Sequence, residues 1–407
     1  MKVLILGGGY GGIFAASNLC RNKRLQVTLV NDSPGHQILQ KIHRVASGEL
    51  QSSDTTLDIS TALGKDVKYI RGRCKKIDLI AKEAEIIILS KADLKQTIQF
   101  DSVIIAIGAK NEYFGIKGAR ENTLSLRSVD DALFLHTTVR RLPPNSVLTI
   151  AGGGATGISL AGALSERYGK KITIRVVEAQ NEILPGWDSI IIKKTKDYLT
   201  KNNVEIISGN SIKEIGRKSI TLSSGQTLQT DVTVWTAGIR GQDLIITPNV
   251  RRTKSARIVV DKFSRVSRSD NGDEVFDNVF AIGDISAFSL DSDGKLSPQL
   301  AQFAVRQARN VAKNIIAKLN GMKMTELEYI QKGQIISLGN NCIGILNGFP
   351  ISGGLCENTE DFVIDNYIKA ILNRGEGLEG MIYDTNSLRT GVATSITFFV
   401  YLCRKLL

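Results

Sequence analysis

Apolar strands alternate with glycine turns and small-residue helices near the start of the chain. Residues 2–6 predict an apolar strand, a glycine run follows, and residues 13–19 are typical of a helix built from small side chains. Residues 25–30 predict a second strand. Strand, helix and strand form a βαβ unit, and strands that are apolar throughout indicate a parallel sheet buried on both faces.

The same pattern returns about one third of the way along the chain. Residues 147–150 predict a strand, a second glycine run follows, and a helix extends to about residue 168. The next strand, residues 171–177, ends at Glu178. Two copies of one unit predict an α/β fold with two Rossmann-like dinucleotide-binding domains.

The rest of the chain predicts further strands and one long helix. Residues 299–319 form the expected helix, with a basic exposed face, and a closing apolar segment ends the chain. The remaining strands are expected at residues 66–80, 84–89, 103–107, 233–238, 279–284, 334–338 and 342–346.

Composition and charge agree with a globular protein of two to three domains. The 407 residues are 42% hydrophobic and 23% charged. The 52 Lys and Arg exceed the 40 Asp and Glu by 12. Such a surface suits nucleotide phosphates, nucleic acid or an acidic bilayer. The charge does not choose among these partners, but with two dinucleotide motifs we expect no nucleic acid partner.

Cysteine spacing argues against a metal or thioredoxin-like site. The five cysteines contain no CxxC pair and form no metal-type cluster with the three histidines, so no metal is expected. Lone cysteines that pack as small core residues fit a reducing compartment. No apolar window reaches the roughly 18 residues of a spanning helix. The cysteines are Cys20, Cys74, Cys342, Cys356 and Cys403.

The first glycine run has the spacing Gly7-x-Gly9-x-x-Gly12 between a strand and a helix. The first glycine allows a tight turn, the second lets a pyrophosphate approach the backbone, and the third lets the helix pack on the strand. Phosphates would then lie at a helix N-terminus. Asn31, followed by Asp32, occupies the strand end where a carboxylate is expected, and its amide can accept a ribose hydroxyl. The alternative is a glycine turn without a ligand.

The second glycine run repeats the spacing at Gly152, Gly154 and Gly157, and Glu178 supplies the strand-end carboxylate. A carboxylate there favours the ribose hydroxyls of NAD and repels a 2′-phosphate. The following Ala179 and Gln180 offer no arginine for NADPH. We therefore expect NADH.

Two dinucleotides in one chain predict hydride transfer from a nicotinamide to a flavin. Gly283 and Asp284 form a turn at a strand end, which would place a carboxylate near the ribityl and phosphate linker of the flavin. The alternative is that Asp284 only caps a following helix.

Several segments together resemble the type II NADH:quinone oxidoreductases, a family of two-dinucleotide flavoproteins. Besides the glycine motifs, these are residues 36–50, 106–108, 111–118, 234–241, 281–284 and 301–307. The resemblance implies that Gln302 and Gln307 are catalytic and face the quinone head group; the alternative is two polar positions on a helix face. It implies FAD and NADH bound by Gly7, Gly9, Tyr10, Gly11, Gly12, Asn31, Asp32, Ala106, Gly108, Gly152, Gly154, Gly157, Glu178, Ala237, Gly238, Gly283, Asp284, Ala301 and Gln302.

The family usually carries a glutamate where this chain has Ser159, and a serine hydroxyl cannot replace a carboxylic acid near neutral pH. The resemblance implies electron transfer from NADH through FAD to a membrane quinone, without proton pumping. One alternative is a sulfide:quinone oxidoreductase. No cysteine lies between residues 75 and 341, so Cys342 and Cys356 lack the usual central partner and are expected to be packing residues. A soluble reductase of a protein electron carrier and a non-catalytic sensor are further alternatives.

The expected domains are a discontinuous FAD-binding domain (1–115 and 255–325), an NADH-binding domain (116–254) and a C-terminal membrane-facing region (326–407). Within the last, residues 390–403 are uncharged and are followed by Arg404 and Lys405. Residues 390–407 are expected to lie in the interface of an anionic membrane. A terminal helix packed on its own domain is the alternative. We therefore expect a peripheral protein on the cytoplasmic face of the cell membrane, and the sequence leaves a homodimer open.

Overall fold

The computed structural model describes residues 1–89, 94–268, 274–291, 293–329, 333–346 and 348–374. The helices are α1 (Tyr10–Leu19), α2 (Ile42–Ser47), α3 (Ile59–Leu63), α4 (Val129–Arg141), α5 (Ala155–Tyr168), α6 (Ser189–Lys201), α7 (Ala301–Leu319) and α8 (Gly354–Leu372). The strands as far as the middle of the chain are β1 (Lys2–Leu6), β2 (Gln26–Asn31), β3 (Gly35–Gln37), β4 (Thr56–Asp58), β5 (Val67–Asp78), β6 (Glu83–Ile88), β7 (Leu94–Gln99), β8 (Ser102–Ile105), β9 (Ala109–Asn111), β10 (Leu124–Ser125), β11 (Val147–Ala151), β12 (Thr173–Val177) and β13 (Glu205–Ile207). The later strands are β14 (Ile212–Ile215), β15 (Ser219–Leu222), β16 (Thr227–Gln229), β17 (Val232–Trp235), β18 (Ile239–Gly241), β19 (Ile245–Thr247), β20 (Ile258–Val260), β21 (Arg265–Ser267), β22 (Val275–Ala281), β23 (Ser286–Phe288), β24 (Gly333–Leu338), β25 (Asn341–Leu346) and β26 (Phe349–Ser352).

The larger sheet joins strands from both ends of the chain. Its order is β23-β20-β21-β22-β8-β1-β2-β5-β6-β7, and β19 pairs with β5 beside this path. The pairs β22–β8, β8–β1, β1–β2 and β2–β5 are parallel. Leu4 and Ile5 of β1 are almost completely buried on opposite faces, because α1 and α7 cover one face and an antiparallel layer covers the other. The predicted buried parallel sheet is confirmed.

The second sheet is formed by the repeated unit. Its order is β10-β17-β11-β12-β13, with every pair parallel. Helices α4 and α5 pack against it in one apolar cluster, together with α2. An antiparallel ribbon of β9 and β18 joins the two parts where the chain crosses between them. The α/β class predicted from the sequence is confirmed.

The C-terminal part of the described chain is an antiparallel sheet, β24-β25-β26, covered by α8. Strands β24 and β25 were expected, but β26 and α8 were not. Its buried positions include the polar residues Thr359 and Asn366, which weakens the apolar period that signals a helix. Among the described residues, no helix has both the length and the apolar character needed to cross a bilayer. The closing apolar segment lies outside the described residues.

Two cysteines correct a sequence prediction. Cys342 and Cys356, expected to be separate packing residues, form a disulfide that links β25 to the first turn of α8. Both are buried, as predicted, at 1% and 0% exposure. Their spacing of 14 residues gave no signal, because the pairing of β25 with β26 and the turn at Gly353 before α8 bring them together.

Candidate functional site

The two glycine loops have the same geometry. Gly7 and Gly152 have positive φ angles of 104° and 117°, which side chains with a Cβ avoid. A Cβ added to Gly12 would lie 1.8 Å from the Gly7 carbonyl oxygen, and one added to Gly157 would lie 2.1 Å from that of Gly152. Each helix therefore packs directly on the turn that precedes it, as the spacing predicted.

Open space lies in front of both helices. Gly9 and Gly154 are the N-cap residues, and an added Cβ at either would meet no atom within 4 Å. The first intrahelical bonds run from Ile13 N–H to Gly9 and from Ile158 N–H to Gly154, at 3.1 and 3.0 Å. The preceding N–H groups point out of each helix, and neither first turn carries an acidic residue. Both loops therefore fit a pyrophosphate.

The residues at the strand ends support these loops. Asn31 Oδ1 accepts from Gly8 N–H at 2.8 Å, and its amide nitrogen donates to the Ser33 carbonyl at 2.7 Å. Glu178 Oε2 accepts from Gly153 N–H at 2.7 Å, and Oε1 accepts from the N–H two residues later at 2.8 Å. In each loop, the strand-end side chain therefore accepts a hydrogen bond from a loop N–H and holds the loop in place, a role that spacing alone does not reveal. Recognition of a ribose by either residue stays a prediction.

Asp32 differs from its neighbour. Its side chain is 51% exposed and lies 3.3 Å from Arg73, while Glu178 is 7% exposed. Asp32 therefore points toward solvent, and Asn31 is the strand-end residue that contacts the first loop.

The Gly283–Asp284 turn adjoins the first glycine loop. A Cβ added to Gly11 would lie 3.1 Å from Ile282 and 3.6 Å from the Ala304 carbonyl, so the starts of α1 and α7 and this turn meet. Asp284 lies within a single 3₁₀ turn, Gly283–Ile285, whose N-cap is Ile282 and which leads directly into β23, so Asp284 is not the N-cap of a following helix. Asp284 Oδ2 lies 3.8 Å from Arg127. Burial raises the pKa of Asp284, and the positive charges of Arg127 and Arg257 oppose that rise.

Gln307 does not face a quinone, which corrects the prediction. Its side chain is 0% exposed. Oε1 accepts from Gly283 N–H at 2.8 Å and from Ser286 Oγ at 3.2 Å. Nε2 donates to Ser264 Oγ at 3.0 Å and to the Ala281 carbonyl at 3.3 Å. Gln307 therefore holds the 281–286 turn in place.

Gln302 and Ala301 occupy the first turn of α7, where both are half-buried. Unlike that of Gln307, the side chain of Gln302 makes no hydrogen bond to another residue within the described part of the chain. Its amide is therefore available to a ligand.

The remaining predicted residues lie around the two loops. A Cβ placed on Gly7 would lie 2.3 Å from the Ala106 carbonyl oxygen, and one placed on Gly152 would lie 2.5 Å from Ala237 Cα. Ala106 and Ala237 therefore occupy equivalent positions beside the two glycine turns. Gly108 has a positive φ of 70° and open space beside it. The Gly238 carbonyl accepts from Glu112 N–H at 2.9 Å in the ribbon between the two parts.

A buried aromatic cluster beside the first loop was missed. His36 Nδ1 donates to the Gly8 carbonyl at 3.0 Å. A neutral imidazole has only this one N–H, so its Nε2 accepts from the Tyr367 hydroxyl, also at 3.0 Å. The Tyr10 ring lies 4.9 Å from His36 and 5.1 Å from Tyr367. Burial lowers the pKa of His36 to about 4, which keeps the ring neutral. Tyr367 was not recognised from the sequence, because helix α8, which bears it, was not predicted.

One buried acceptor is open to a bound group. His43 is 4% exposed, and its Nε2 has no partner among the described residues. Burial and Arg44 lower the pKa of His43 to about 3. A neutral ring that donates through Nδ1 to the Gln40 backbone leaves Nε2 as an acceptor.

A cavity of about 700 Å³ lies beside the ribbon of β9 and β18. It is lined by the crossing segments, chiefly residues 111–122 and Arg240. None of the predicted cofactor-binding residues lines it. Within the described ranges, no cluster of three or more His, Cys, Asp or Glu side chains could hold a metal.

Comparison with known proteins agrees with this geometry. Residues 1–308 match the family model of the pyridine nucleotide-disulphide oxidoreductases. The type II NADH:quinone oxidoreductase of Staphylococcus aureus strain NCTC 8325 is 30% identical over 382 residues, covering 86% of this chain and 91% of that protein.

Solved structures show the same fold. The structure of NDH2 from Plasmodium falciparum in complex with NADH has a TM-score of 0.78 at 18% identity and covers 98% of this chain and 97% of its own. The sulfide:quinone oxidoreductase of Aquifex aeolicus also has a TM-score of 0.78 at 18% identity, with 92% of each chain covered. From its sequence match and its duplicated loops, the chain belongs to the pyridine nucleotide-disulphide oxidoreductases and, within them, to the type II NADH:quinone oxidoreductase family.

Proposed function

We propose that this protein oxidises NADH and reduces a membrane quinone through bound FAD, without pumping protons. The observation that carries the proposal is the pair of open, equivalent glycine loops, in a chain that belongs to this family. When bound, FAD would supply the chemistry for hydride acceptance from NADH and for two-electron transfer to the quinone. The protein residues bind and align the reactants.

The first loop is proposed to hold FAD. The N–H groups that follow Gly9 would bind the pyrophosphate, and Asn31 and His36 would fix the loop by their bonds to Gly8. Asp284 would bind the ribityl side of the flavin. The bonds from Gln307 hold the Asp284 turn beside α1.

The second loop is proposed to hold NADH. Glu178 keeps lone pairs for the ribose hydroxyls while it braces Gly153, and its negative charge repels a 2′-phosphate. Gln302 is the proposed contact of the quinone, because its amide can donate to a quinone carbonyl.

The domain division is also a proposal. Residues 1–115 and 255–325 would bind FAD, 116–254 NADH, and 326–407 would form the C-terminal region. The shared sheet of β1, β8 and β22 supports the discontinuous domain. The pairing of β19 with β5 favours a return to that domain before residue 245, earlier than expected.

The C-terminal region is proposed to face the cytoplasmic leaflet of the membrane as a peripheral surface. Phe349 and Leu355, at the edge of this region, are 74% and 50% exposed. The proposed anchor, residues 390–407, lies outside the described residues. Deleting it should weaken co-sedimentation with anionic liposomes. A folded, flavin-loaded deletion variant that binds as strongly as the full chain would contradict the anchor.

The activity is tested with the purified protein. We expect a flavin absorption spectrum, and NADH oxidation that accelerates when a short-chain quinone is added. A protein that reduces ferredoxin or rubredoxin but ignores quinone would contradict the proposal, as would one that uses sulfide and not NADH. A flavin that NADH reduces without turnover would indicate a sensor.

A further inference from the structure

Tyr367 of α8 reaches the first glycine loop through one intermediate side chain. Its hydroxyl lies 3.0 Å from Nε2 of His36, and Nδ1 of His36 lies 3.0 Å from the Gly8 carbonyl oxygen. Tyr367 and His36 are 4% and 1% exposed, so both contacts are shielded from water. The loop is thereby connected to a residue that follows His36 by 331 positions in the chain.

The direction of both hydrogen bonds follows from the Gly8 carbonyl. A carbonyl oxygen can only accept, so Nδ1 of His36 carries the proton and donates it. The neutral ring then has a lone pair at Nε2, which accepts from the Tyr367 hydroxyl. The Tyr10 carbonyl is a more distant acceptor for the same hydroxyl, at 3.5 Å. Tyr367 therefore satisfies the buried acceptor that His36 leaves open while it holds Gly8.

The bond from His36 fixes the peptide that joins Gly8 to Gly9. A trans peptide is planar, and its C=O and N–H groups point in opposite directions. Because the Gly8 carbonyl is turned toward His36, the Gly9 N–H is turned away from it, and Gly9 is the N-cap of α1. A Cβ added to Gly9 would meet no atom within 4 Å, so a pyrophosphate can approach this peptide.

The second loop holds the equivalent glycine without α8. Gly153 N–H donates to Glu178 at 2.7 Å, as Gly8 N–H donates to Asn31. The Gly153 carbonyl accepts from the backbone N–H of Leu184 at 2.8 Å. A backbone N–H is always a donor, whereas an imidazole donates from Nδ1 only in one of its two neutral forms. The hydrogen bond to the carbonyl is therefore local in the second loop and depends on α8 in the first.

Helix α8 is placed for this role by its packing against α1, which begins at the first loop. The ring of Tyr367 lies 5.1 Å from that of Tyr10 and 6.1 Å from that of Phe14. Ala370 and Ile371 of α8 belong to the same buried apolar cluster as α1. The apolar contacts that dock α8 on α1 therefore also bring the Tyr367 hydroxyl to His36.

We propose that Tyr367 is a positioning residue for FAD. By completing the hydrogen bonds of His36, it holds the Gly8–Gly9 peptide in the orientation that binds the pyrophosphate, so FAD is retained more tightly while α8 is docked. The inference rests on the proposed FAD site at the first loop. Because such coupling is reciprocal, bound FAD in turn stabilises the docked α8. NADH, proposed to bind at the second loop, takes no part in this coupling.

The test is Tyr367→Phe in the full chain loaded with FAD, because phenylalanine keeps the ring and removes the hydroxyl. The measured quantity is the rate of FAD release after dilution, followed by flavin fluorescence. We expect this rate to rise about 10-fold, the size of effect that the loss of one buried hydrogen bond produces. A release rate equal to that of the wild type would overturn the inference.

The second loop provides an internal comparison in the same variant. The dissociation constant of NADH, taken from the dependence of flavin reduction on NADH concentration, should equal that of the wild type. NADH affinity that falls as much as FAD affinity would overturn the inference, because the effect would then not be confined to the first loop.

The matched control is Tyr198→Phe, which also loses one tyrosine hydroxyl. Tyr198 of α6 donates to Glu166, at the end of α5 that lies away from the second loop. This variant should release FAD at the wild-type rate. If it released FAD as fast as Tyr367→Phe, a general loss of stability would explain both results and the inference would be wrong.

His36→Leu shows whether Tyr367 acts through His36. This substitution should also accelerate FAD release, and Tyr367→Phe added to it should cause no further increase, because the acceptor of the hydroxyl is already gone. A further 10-fold increase in the double variant would contradict the proposed connection.

His36→Leu also covers the case in which Tyr367→Phe does not fold, since a wild-type release rate in His36→Leu alone would overturn the inference. A wild-type protein that binds no FAD would instead overturn the proposed function.

Discussion

Gln307→Leu separates a positioning role from a catalytic one. Leucine has nearly the same volume but offers none of the bonds that the amide makes to the 281–286 turn. The Ser286 hydroxyl keeps a second acceptor, the Gly283 carbonyl at 2.8 Å. The Gly283 N–H has no other acceptor in the described structure, so the substitution leaves a donor unpaired in a partly buried turn.

The expected cost follows from these contacts. An unpaired buried donor costs about 1–3 kcal/mol, and each further hydrogen bond contributes about 1 kcal/mol. Because the hydroxyls can turn to other acceptors, we expect the free energy of unfolding to fall by about 2–3 kcal/mol. The loosened turn carries Asp284, so FAD content should fall as well.

The assay is urea unfolding at neutral pH, together with the ratio of flavin to protein after purification. Gln302→Leu is the matched control. It should change the free energy of unfolding by less than about 0.5 kcal/mol, keep its FAD and slow only quinone turnover. A Gln307→Leu variant with wild-type stability and full FAD, but with slow quinone turnover, would refute this reasoning and restore the quinone contact.

Four other variants test the remaining assignments. Gly9→Val should abolish FAD binding, because its side chain fills the open space in front of α1; a folded variant with full flavin absorbance would contradict this. Glu178→Ala combined with Gln180→Arg should shift the ratio of NADPH to NADH turnover toward NADPH, and an unchanged ratio would count against Glu178. Cys342→Ser should lower the free energy of unfolding by about 3 kcal/mol, the value for a loop of about 15 residues, and stability equal to that of the wild type would argue against the disulfide. The pKa of His36 is lowered in the folded state, which favours the neutral ring, so its contribution to stability is lost as the pH falls from about 6.5 toward about 4. His36→Gln should therefore reduce the slope of the free energy of unfolding against pH in this range. An equal slope in the variant would place the titrating group elsewhere.

The glycine spacings and the apolar strands were sufficient to predict both loops. These features are local, since a positive φ at Gly7 and free N–H groups at a helix start depend on neighbouring residues. The sequence likewise predicted the parallel sheet, because only strands buried on both faces are apolar at every position. It also singled out Glu178 by its distance from the second motif.

The tertiary structure alone decided what the polar side chains do. Gln302 and Gln307 look alike in the sequence, yet one is unpaired at a helix start and the other is buried in the 281–286 turn. The disulfide and the approach of Tyr367 to His36 depend on how α8 lies on the C-terminal sheet and on α1. A side-chain partner far along the chain is chosen by packing, and no local pattern encodes it. The sequence therefore determined the two nucleotide-binding frames, and packing between distant elements determined which side chains are left to act in them.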